Sequence, residues 1–215
     1  MVKAVFHIHS KYSSDSFSSL EKIAGFCQKK NINLVFLCDH NNLAPTTTIN
    51  GVQIIGGEEI KTREGEIIGL FVKEKIEPNL LLAETIKKIK EQGGLVATPH
   101  PFNSLIRRWS GKKIQPENLL KNIDQIDIVE VFNARNIYPV DNKKALEFAE
   151  KNKKIKIVGS DAHVINEIDN TSFLIDNFST PQEFLNNLSR AEFSTKTGSL
   201  VDQLKSLFVK IIKFF

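Results

Sequence analysis

Five histidines are the residues of this chain most able to do chemistry, and each lies at or just after an apolar run that is typical of a strand. They are His7, His9, His40, His100 and His163. Histidine is the commonest metal ligand, but it also occurs as an ordinary hydrogen-bonding residue. The choice between these interpretations depends on the elements that position the five side chains.

The first pair, His7 and His9, lies on residues 5–9, which are predicted to form a short strand. Side chains alternate across a strand, so both imidazoles are predicted on one face, with Phe6 and Ile8 on the other. Two imidazoles that project in parallel form half of a metal site.

Apolar runs alternate with segments of helical periodicity, which predicts βα units and a mainly parallel sheet. Further strands are predicted over residues 34–38, 52–55, 66–72, 95–98, 126–132, 155–158 and 172–175, and the one over 66–72 is expected to form a hairpin with 60–62. Helices are predicted over 79–92, from Pro116, over 141–149, from Pro181 and over 200–215.

Carboxylates accompany the histidines at the same strand ends, namely Asp15, Asp39, Glu59 and Asp161. In a parallel α/β barrel the carboxyl ends of the strands meet on one face, so these groups are predicted to converge. Mixed imidazole and carboxylate ligands suit zinc, manganese or iron better than calcium or magnesium. The ligands exceed the needs of one ion, which indicates two or three divalent ions.

The order of these motifs resembles the PHP (polymerase and histidinol phosphatase) superfamily. The motifs are His-x-His at the first strand, Asp39-His40, Gly57-x-Glu59, His100-Pro101 and Ser160-Asp-Ala-His163. The resemblance covers residues 1 to about 175 and implies an α/β fold, a distorted (βα)7 TIM-like barrel. It also implies a trinuclear metal centre that hydrolyses phosphoesters.

The resemblance assigns eight metal ligands. His7, His9, Glu59 and Asp161 match the first ion, Glu59 and His100 the second, and Asp15, His40 and His163 the third. Glu58 is expected on the opposite strand face from Glu59. Some members carry a further histidine on the strand that in this chain contains Glu130 and Asn133. Either residue could complete the second site, or the second ion could be held more weakly.

The resemblance implies that a hydroxide between two metal ions attacks phosphorus in line. Residues expected to take part in catalysis are Asp161, His163, His40 and Arg135. Arg107, Arg108, Arg135 and Asn133 are predicted to bind the substrate, because arginine can hold a phosphate through two parallel hydrogen bonds. Asp39 is expected to orient a ligand from the far side of its strand.

The composition predicts a cytoplasmic protein of ordinary polarity, with 41% hydrophobic and 25% charged residues and no transmembrane segment or signal peptide. A net charge of +4 suits an anionic substrate such as a phosphorylated small molecule or a nucleotide, and it is too small to predict duplex nucleic acid as a partner. Cys27 and Cys38 are expected to be reduced thiols, with Cys38 in the core.

Residues 1–198 are predicted to form the barrel domain, and 199–215 an amphipathic C-terminal helix. This helix is expected to pack on the barrel or in a homodimer interface, and binding to a membrane surface is the alternative.

The predicted function is therefore a metal-dependent phosphoesterase that acts on a small phosphomonoester or a nucleotide. Two alternatives stay open. One is a non-catalytic metal-binding module that regulates or stabilises a partner, and the other is a metal amidohydrolase.

Overall fold

A computed structural model of the chain describes residues 1–103 and 114–199. Within these ranges the strands are β1 Val2–Ile8, β2 Leu34–His40, β3 Thr47–Ile49, β4 Val52–Thr62, β5 Gly65–Leu70, β6 Leu95–Thr98, β7 Ile128–Asn133, β8 Ile155–Gly159, β9 Thr171–Ile175 and β10 Glu192–Thr195. The α-helices are α1 Leu20–Lys29, α2 Leu82–Glu91, α3 Pro116–Lys121, α4 Pro139–Lys151 and α5 Pro181–Leu188. Short 3-10 helices cover Ile123–Gln125 and Ile165–Asn170.

Some predictions fall on residues outside these ranges. They are the substrate contacts of Arg107 and Arg108 and the C-terminal helix over 200–215. In the two described ranges, every helix is too short or too polar to cross a membrane.

The strands form one mixed sheet that nearly closes into a barrel, in the order β10-β9-β1-β2-β4-β5-β6-β7-β8, with β3 paired on β4. The chain after β8 returns to β1, where Ser160 N donates to Phe6 O at 3.0 Å and Ala162 N donates to His7 O at 3.1 Å. The predicted α/β class and barrel-like shape are confirmed. The predicted count of seven βα units is not confirmed, because β2 connects to β4 without a helix and β5 runs antiparallel to β4 and β6.

The inner faces of the strands bury an apolar cluster, which we call the barrel core. Within it, Phe36 lies 6.4 Å from Phe173, 6.4 Å from Phe178 and 4.9 Å from Phe184 between ring centroids. Phe184 belongs to α5, so this helix closes the end of the barrel where the parallel strands begin. Two outer clusters pack α1 on one part of the wall and α2, α3 and α4 on another. Polar side chains are left to occupy the opposite end of the barrel.

The end of β1 departs from simple alternation. Phe6 lies in the barrel core, whereas Ile8 packs in the outer cluster with α1, so the prediction that they share a face is wrong. His7 adopts a left-handed φ of 63°, and the register between β1 and β2 shifts between Val5 and Ile8. This irregularity turns His7 inward, where alternation from Phe6 alone would have turned it outward.

The predicted hairpin is confirmed as β4 and β5, which pair antiparallel with Glu59 opposite Ile68 and Lys61 opposite Glu66. Because β5 runs in the reverse direction, its first residues lie at the barrel end where β4 finishes. Glu66 therefore lies on the same side of the barrel as Glu59. β3 lies between the strands predicted over 34–38 and 52–55, where no strand was predicted.

Candidate metal centre

All eight predicted ligands come together at the barrel end opposite α5. Their ligand atoms fall into groups whose members lie within 4.8 Å of one another. These groups are His9 with Asp15, His40 and His163; His7 with Glu59 and His100; His7 with His9 and Asp161; and His40 with Glu59 and Glu66. Seven of the eight predicted ligands are buried, and His40 is partly exposed.

The first position is formed by four atoms that converge from β1, β4 and the end of β8. His7 Nε2 lies 3.5 Å from Glu59 Oε2 and 3.9 Å from Asp161 Oδ1. His9 Nε2 lies 3.6 Å and 3.4 Å from the same two oxygens. Tetrahedral ligands about 2.0–2.2 Å from one zinc ion lie roughly 3.3–3.6 Å from one another. Three of these four distances fall in that range and the fourth, His7 Nε2 to Asp161 Oδ1, is longer at 3.9 Å, so the atoms are close to the spacing of a cation site.

The third position is formed by Asp15, from the loop after β1, and by two imidazoles. Asp15 Oδ2 lies 3.3 Å from His40 Nε2 and 3.3 Å from His163 Nε2. The ring of His9 adjoins both, with centroid distances of 4.5 Å to His40 and 4.1 Å to His163. The third position thus lies directly beside the first.

The second position is formed by Glu59 and His100, which follows β6. Glu59 Oε1 lies 2.9 Å from His100 Nε2, while Glu59 Oε2 belongs to the first position. One carboxylate therefore faces two positions, as a carboxylate that bridges a pair of ions must.

Two buried nitrogen atoms at the first position show whether a divalent cation suits the site. His7 Nε2 and His9 Nε2 are buried, and neither has a hydrogen-bond partner among the described residues. Leaving a buried polar atom unsatisfied costs about 1–3 kcal/mol. Both nitrogens lie within 4 Å of Glu59 Oε2 and Asp161 Oδ1, where a divalent cation would satisfy them. The residues present fit such an ion.

The ionisation of the carboxylates suits this role. Burial by itself raises the pKa of Glu59, but the neighbouring His40 and His7 outweigh it and hold the pKa well below its usual range. Burial likewise raises the pKa of Asp15, and His163 and His40 reverse the effect. Both side chains are therefore ionised, as metal ligands must be.

The two histidines of β1 differ in charge preference. Burial lowers the pKa of His7, but Glu130, Asp161 and Glu59 outweigh it, so the pKa lies well above its usual range. Burial and the neighbouring His163 and His40 lower the pKa of His9 well below that range. His9 is thus neutral, which is the form that binds a metal ion.

Three of the candidate ligands have left-handed backbones, namely His7 with φ 63°, His100 with φ 29° and Asp161 with φ 51°. This region costs a residue other than glycine about 1–2 kcal/mol. Each lies at the end of a strand, where the backbone must turn to direct a side chain into the barrel. Such strain is concentrated at functional sites, where the surrounding fold maintains it.

Other polar residues hold the ligands in place. Ser13 Oγ lies 3.0 Å from His9 Nδ1 and accepts from the backbone N–H of His40 at 2.8 Å. Asp39 accepts from Ser10 N at 2.6 Å and from Ser10 Oγ at 2.7 Å. Through these contacts Asp39 orients the loop after β1.

Arg135 and Asn133, predicted to bind substrate, contact the site from β7 and the loop after it. Arg135 Nη1 lies 3.0 Å from His163 Nδ1 and 3.3 Å from Glu167 Oε2. Asn133 Nδ2 donates to Asp161 Oδ2 at 3.2 Å and to Glu130 Oε2 at 3.0 Å. Asn133 is buried and its Oδ1 accepts from Arg135 N, which favours a positioning role over substrate contact.

Sequence reasoning missed two acidic residues near the ligands. Glu66 Oε1 lies 3.7 Å from His40 Nδ1, and the predicted hairpin register could have placed it there. Glu167 Oε2 accepts from His163 N at 2.9 Å. It lies on the 3-10 helix after β8, and no motif in the sequence marked it.

Comparisons with known proteins identify a family profile and a related sequence, and they identify solved structures with a similar fold. The profile of the family described as "PHP-associated" matches residues 139–193. The "Uncharacterized protein MJ0417" of Methanocaldococcus jannaschii is 40% identical over 192 residues, which cover 86% of this chain and 78% of that protein.

Two solved structures are similar in fold. PsfC from Pseudomonas syringae superposes with a TM-score of 0.70 at 13% identity, covering 98% of both chains. A two-domain protein from Bacteroides vulgatus that contains a "predicted PHP-like metal-dependent phosphoesterase" superposes with a TM-score of 0.63 at 17% identity, covering 97% of this chain and 69% of that one.

Proposed function

Since the chain belongs to the PHP superfamily, we propose that it is a metal-dependent phosphoesterase acting on a small phosphomonoester or a nucleotide. The observation that carries the proposal is the sharing of Glu59 between the first and second positions, with the third position beside them. Zinc, manganese and iron suit this ligand set.

Divalent ions bound at adjacent positions lower the pKa of water and neutralise phosphate oxygens. The chain contributes by fixing the geometry. Asp161 directs Oδ1 to the first position while Asn133 holds its Oδ2. His40 and His163 converge on Asp15 and define the third position, which we assign to the phosphate-binding side of the reaction.

We assign to Arg135 the role of binding the phosphate group of the substrate and stabilising its negative charge. Its guanidinium lies beside His163 and pairs with the buried Glu167, so it is held next to the metal centre. A guanidinium in this place can donate to a phosphate oxygen and stabilise the charge that develops there. Arg107 and Arg108 stay proposed as further substrate contacts.

The experiment measures phosphate release with Mn²⁺ or Zn²⁺ from a panel of nucleotides and sugar phosphates. We expect activity in the wild type and a loss of at least about 10³-fold in Glu59→Gln and His9→Ala, because each removes a ligand of the first position. Glu91→Gln is the matched control, because Glu91 is exposed at the end of α2 and should leave activity unchanged.

Two outcomes would redirect the proposal. Bound metal with no phosphate release above the His9→Ala background would favour the non-catalytic regulatory module. Release from amide substrates instead of phosphoesters would favour the metal amidohydrolase.

A further inference from the structure

Glu130, on β7, is buried against the second position without being directed into it. Its Oε1 lies 2.9 Å from His7 Nδ1. Its Oε2 accepts from the backbone N–H of His100 at 2.6 Å and from Asn133 Nδ2 at 3.0 Å. Both oxygens are therefore engaged with donors of the chain.

The backbone of Gly159 lies directly against this carboxylate. A Cβ atom added at Gly159 would lie 1.7 Å from Glu130 Oε1. Glu130 therefore has no room to move toward β8, and its contacts with His7 and His100 hold it from the other sides.

The contact with His7 assigns a role to Glu130. His7 Nε2 points to the first position, so a proton on Nδ1 must be accepted by another group, and Glu130 Oε1 is in place to accept it. A carboxylate on the far nitrogen of a ligating histidine fixes its tautomer and raises its basicity. Glu130 therefore affects the first position indirectly, by holding His7 in the tautomer that leaves Nε2 free to bind an ion.

Among residues 1–103 and 114–199, this arrangement leaves few ligands for the second position. His7 Nε2 is counted at the first position, which then has four ligand atoms, and the third position has three side chains; a ligand atom of His7 also lies within 4.8 Å of those of Glu59 and His100. The second has Glu59 Oε1 and His100 Nε2, which lie 2.9 Å apart and contact each other directly. A four-coordinate ion there needs about two ligands beyond those that the described residues supply.

We propose that Glu130 is a positioning residue for His7 and not a metal ligand, so that the second position takes its ion only together with a phosphate group. The proposal rests on the proposed function and deepens it. Phosphate oxygens supply the ligands that the described residues do not provide at the second position. The chain alone binds ions at the first and third positions. The ion at the second position arrives together with the phosphorylated ligand.

The first test measures metal content per chain by elemental analysis after gel filtration in Mn²⁺, with and without inorganic phosphate. We expect two ions per chain without phosphate and three with it. His100→Ala should remove the phosphate-dependent ion and keep the other two. Three ions without phosphate, or two under both conditions, would overturn the proposal.

The second test compares Glu130→Gln with the exposed control Glu91→Gln by titration calorimetry with Mn²⁺. A glutamine at 130 cannot accept from all three donors, so the affinity of the tightly bound ions should fall about 10–100-fold. The phosphate-dependent ion should still bind at saturating metal. If Glu130 were a ligand of the second position, the variant would lose that ion and keep the affinity of the others.

The failures of the two proposals can be told apart. A chain that binds no ions, or that binds ions without releasing phosphate, contradicts the proposed function. A chain that releases phosphate but loses one ion in Glu130→Gln contradicts only the positioning role of Glu130. Circular dichroism of each variant confirms that it is folded.

Discussion

Gly159 lies at the end of β8, where any side chain would enter the space of a buried carboxylate. An added Cβ would lie 1.7 Å from Glu130 Oε1 and 3.1 Å from His7 Cβ. Gly159→Ala must therefore displace Glu130, and overpacking of this kind costs typically about 1–3 kcal/mol. We expect a lower urea midpoint together with weaker Mn²⁺ binding.

Gly25 in α1 is the matched control for this substitution. Nothing lies within 4 Å of a Cβ added there, and helical alanine is favoured over glycine by about 0.5–1 kcal/mol. Gly25→Ala should raise the urea midpoint without changing metal binding. Equal Mn²⁺ affinity in Gly159→Ala and the wild type would contradict the tight packing of Glu130.

Glu58, the neighbour of Glu59 on β4, faces out of the barrel and accepts from Ile76 N at 2.9 Å. Burial raises its pKa from 4.5 to about 7. The folded chain therefore binds more protons than the unfolded chain between these values, so this group makes the free energy of unfolding fall as the pH rises through that window.

Glu58→Gln should remove this pH dependence while the amide oxygen still accepts from Ile76. Relative to the variant, the wild type should lose up to about 3 kcal/mol of stability between about pH 5 and about pH 8. Urea denaturation at both pH values, with the same metal content, measures the difference. Parallel pH profiles for the two proteins would show that Glu58 ionises with an ordinary pKa.

At the scale of single elements, α5 closes one end of the barrel through Phe184. This ring is fully buried and lies 4.9 Å from Phe36 and 5.1 Å from Phe178 between centroids. Phe184→Ala should destabilise the fold by about 3–5 kcal/mol, because it opens a cavity in the barrel core. The number of bound ions should stay the same, since the ligands lie at the opposite end.

Phe193 on β10 is the control for this prediction. It is 37% exposed, so Phe193→Ala should cost much less, on the order of 1 kcal/mol. Urea denaturation of both variants gives the comparison. A similar cost at the two positions would contradict the closing role of α5.

The elements also show how far the sequence could predict the structure. The β4–β5 hairpin was predicted from the strand patterns of 60–62 and 66–72. Glu58 and Glu59 occupy opposite faces, as the alternation of β4 predicts. The inward turn of His7 did not follow, because a left-handed residue breaks the alternation on which the prediction rested. The role of Glu130 depends on contacts with residues distant in the chain, which no local pattern specifies.

At the scale of the whole molecule, the fold buries both thiols of the chain. Cys27 and Cys38 are each 0% exposed, and Cys38 belongs to the barrel core as predicted. Burial raises the pKa of Cys27 to about 12 and that of Cys38 well above its usual range. Since the thiolate is the reactive form, neither should react while the chain is folded.

A thiol-reactive disulfide reagent at about pH 8 checks this expectation. We expect no reaction in the folded protein and two reactive thiols per chain in urea, in agreement with the two cysteines of the sequence. Rapid labelling of the native protein would show that the wall of the barrel opens locally.

The place of β1 in the sheet has a consequence for how the protein is made. β1 lies between β2 and β9, and most of the described chain separates it from β9. At about 5–20 residues per second, a ribosome needs on the order of ten seconds to add β9 once β1 has emerged. During that interval one edge of β1 lacks its neighbour, so a nascent chain halted before Thr171 offers chaperones an apolar strand and cannot yet complete its barrel.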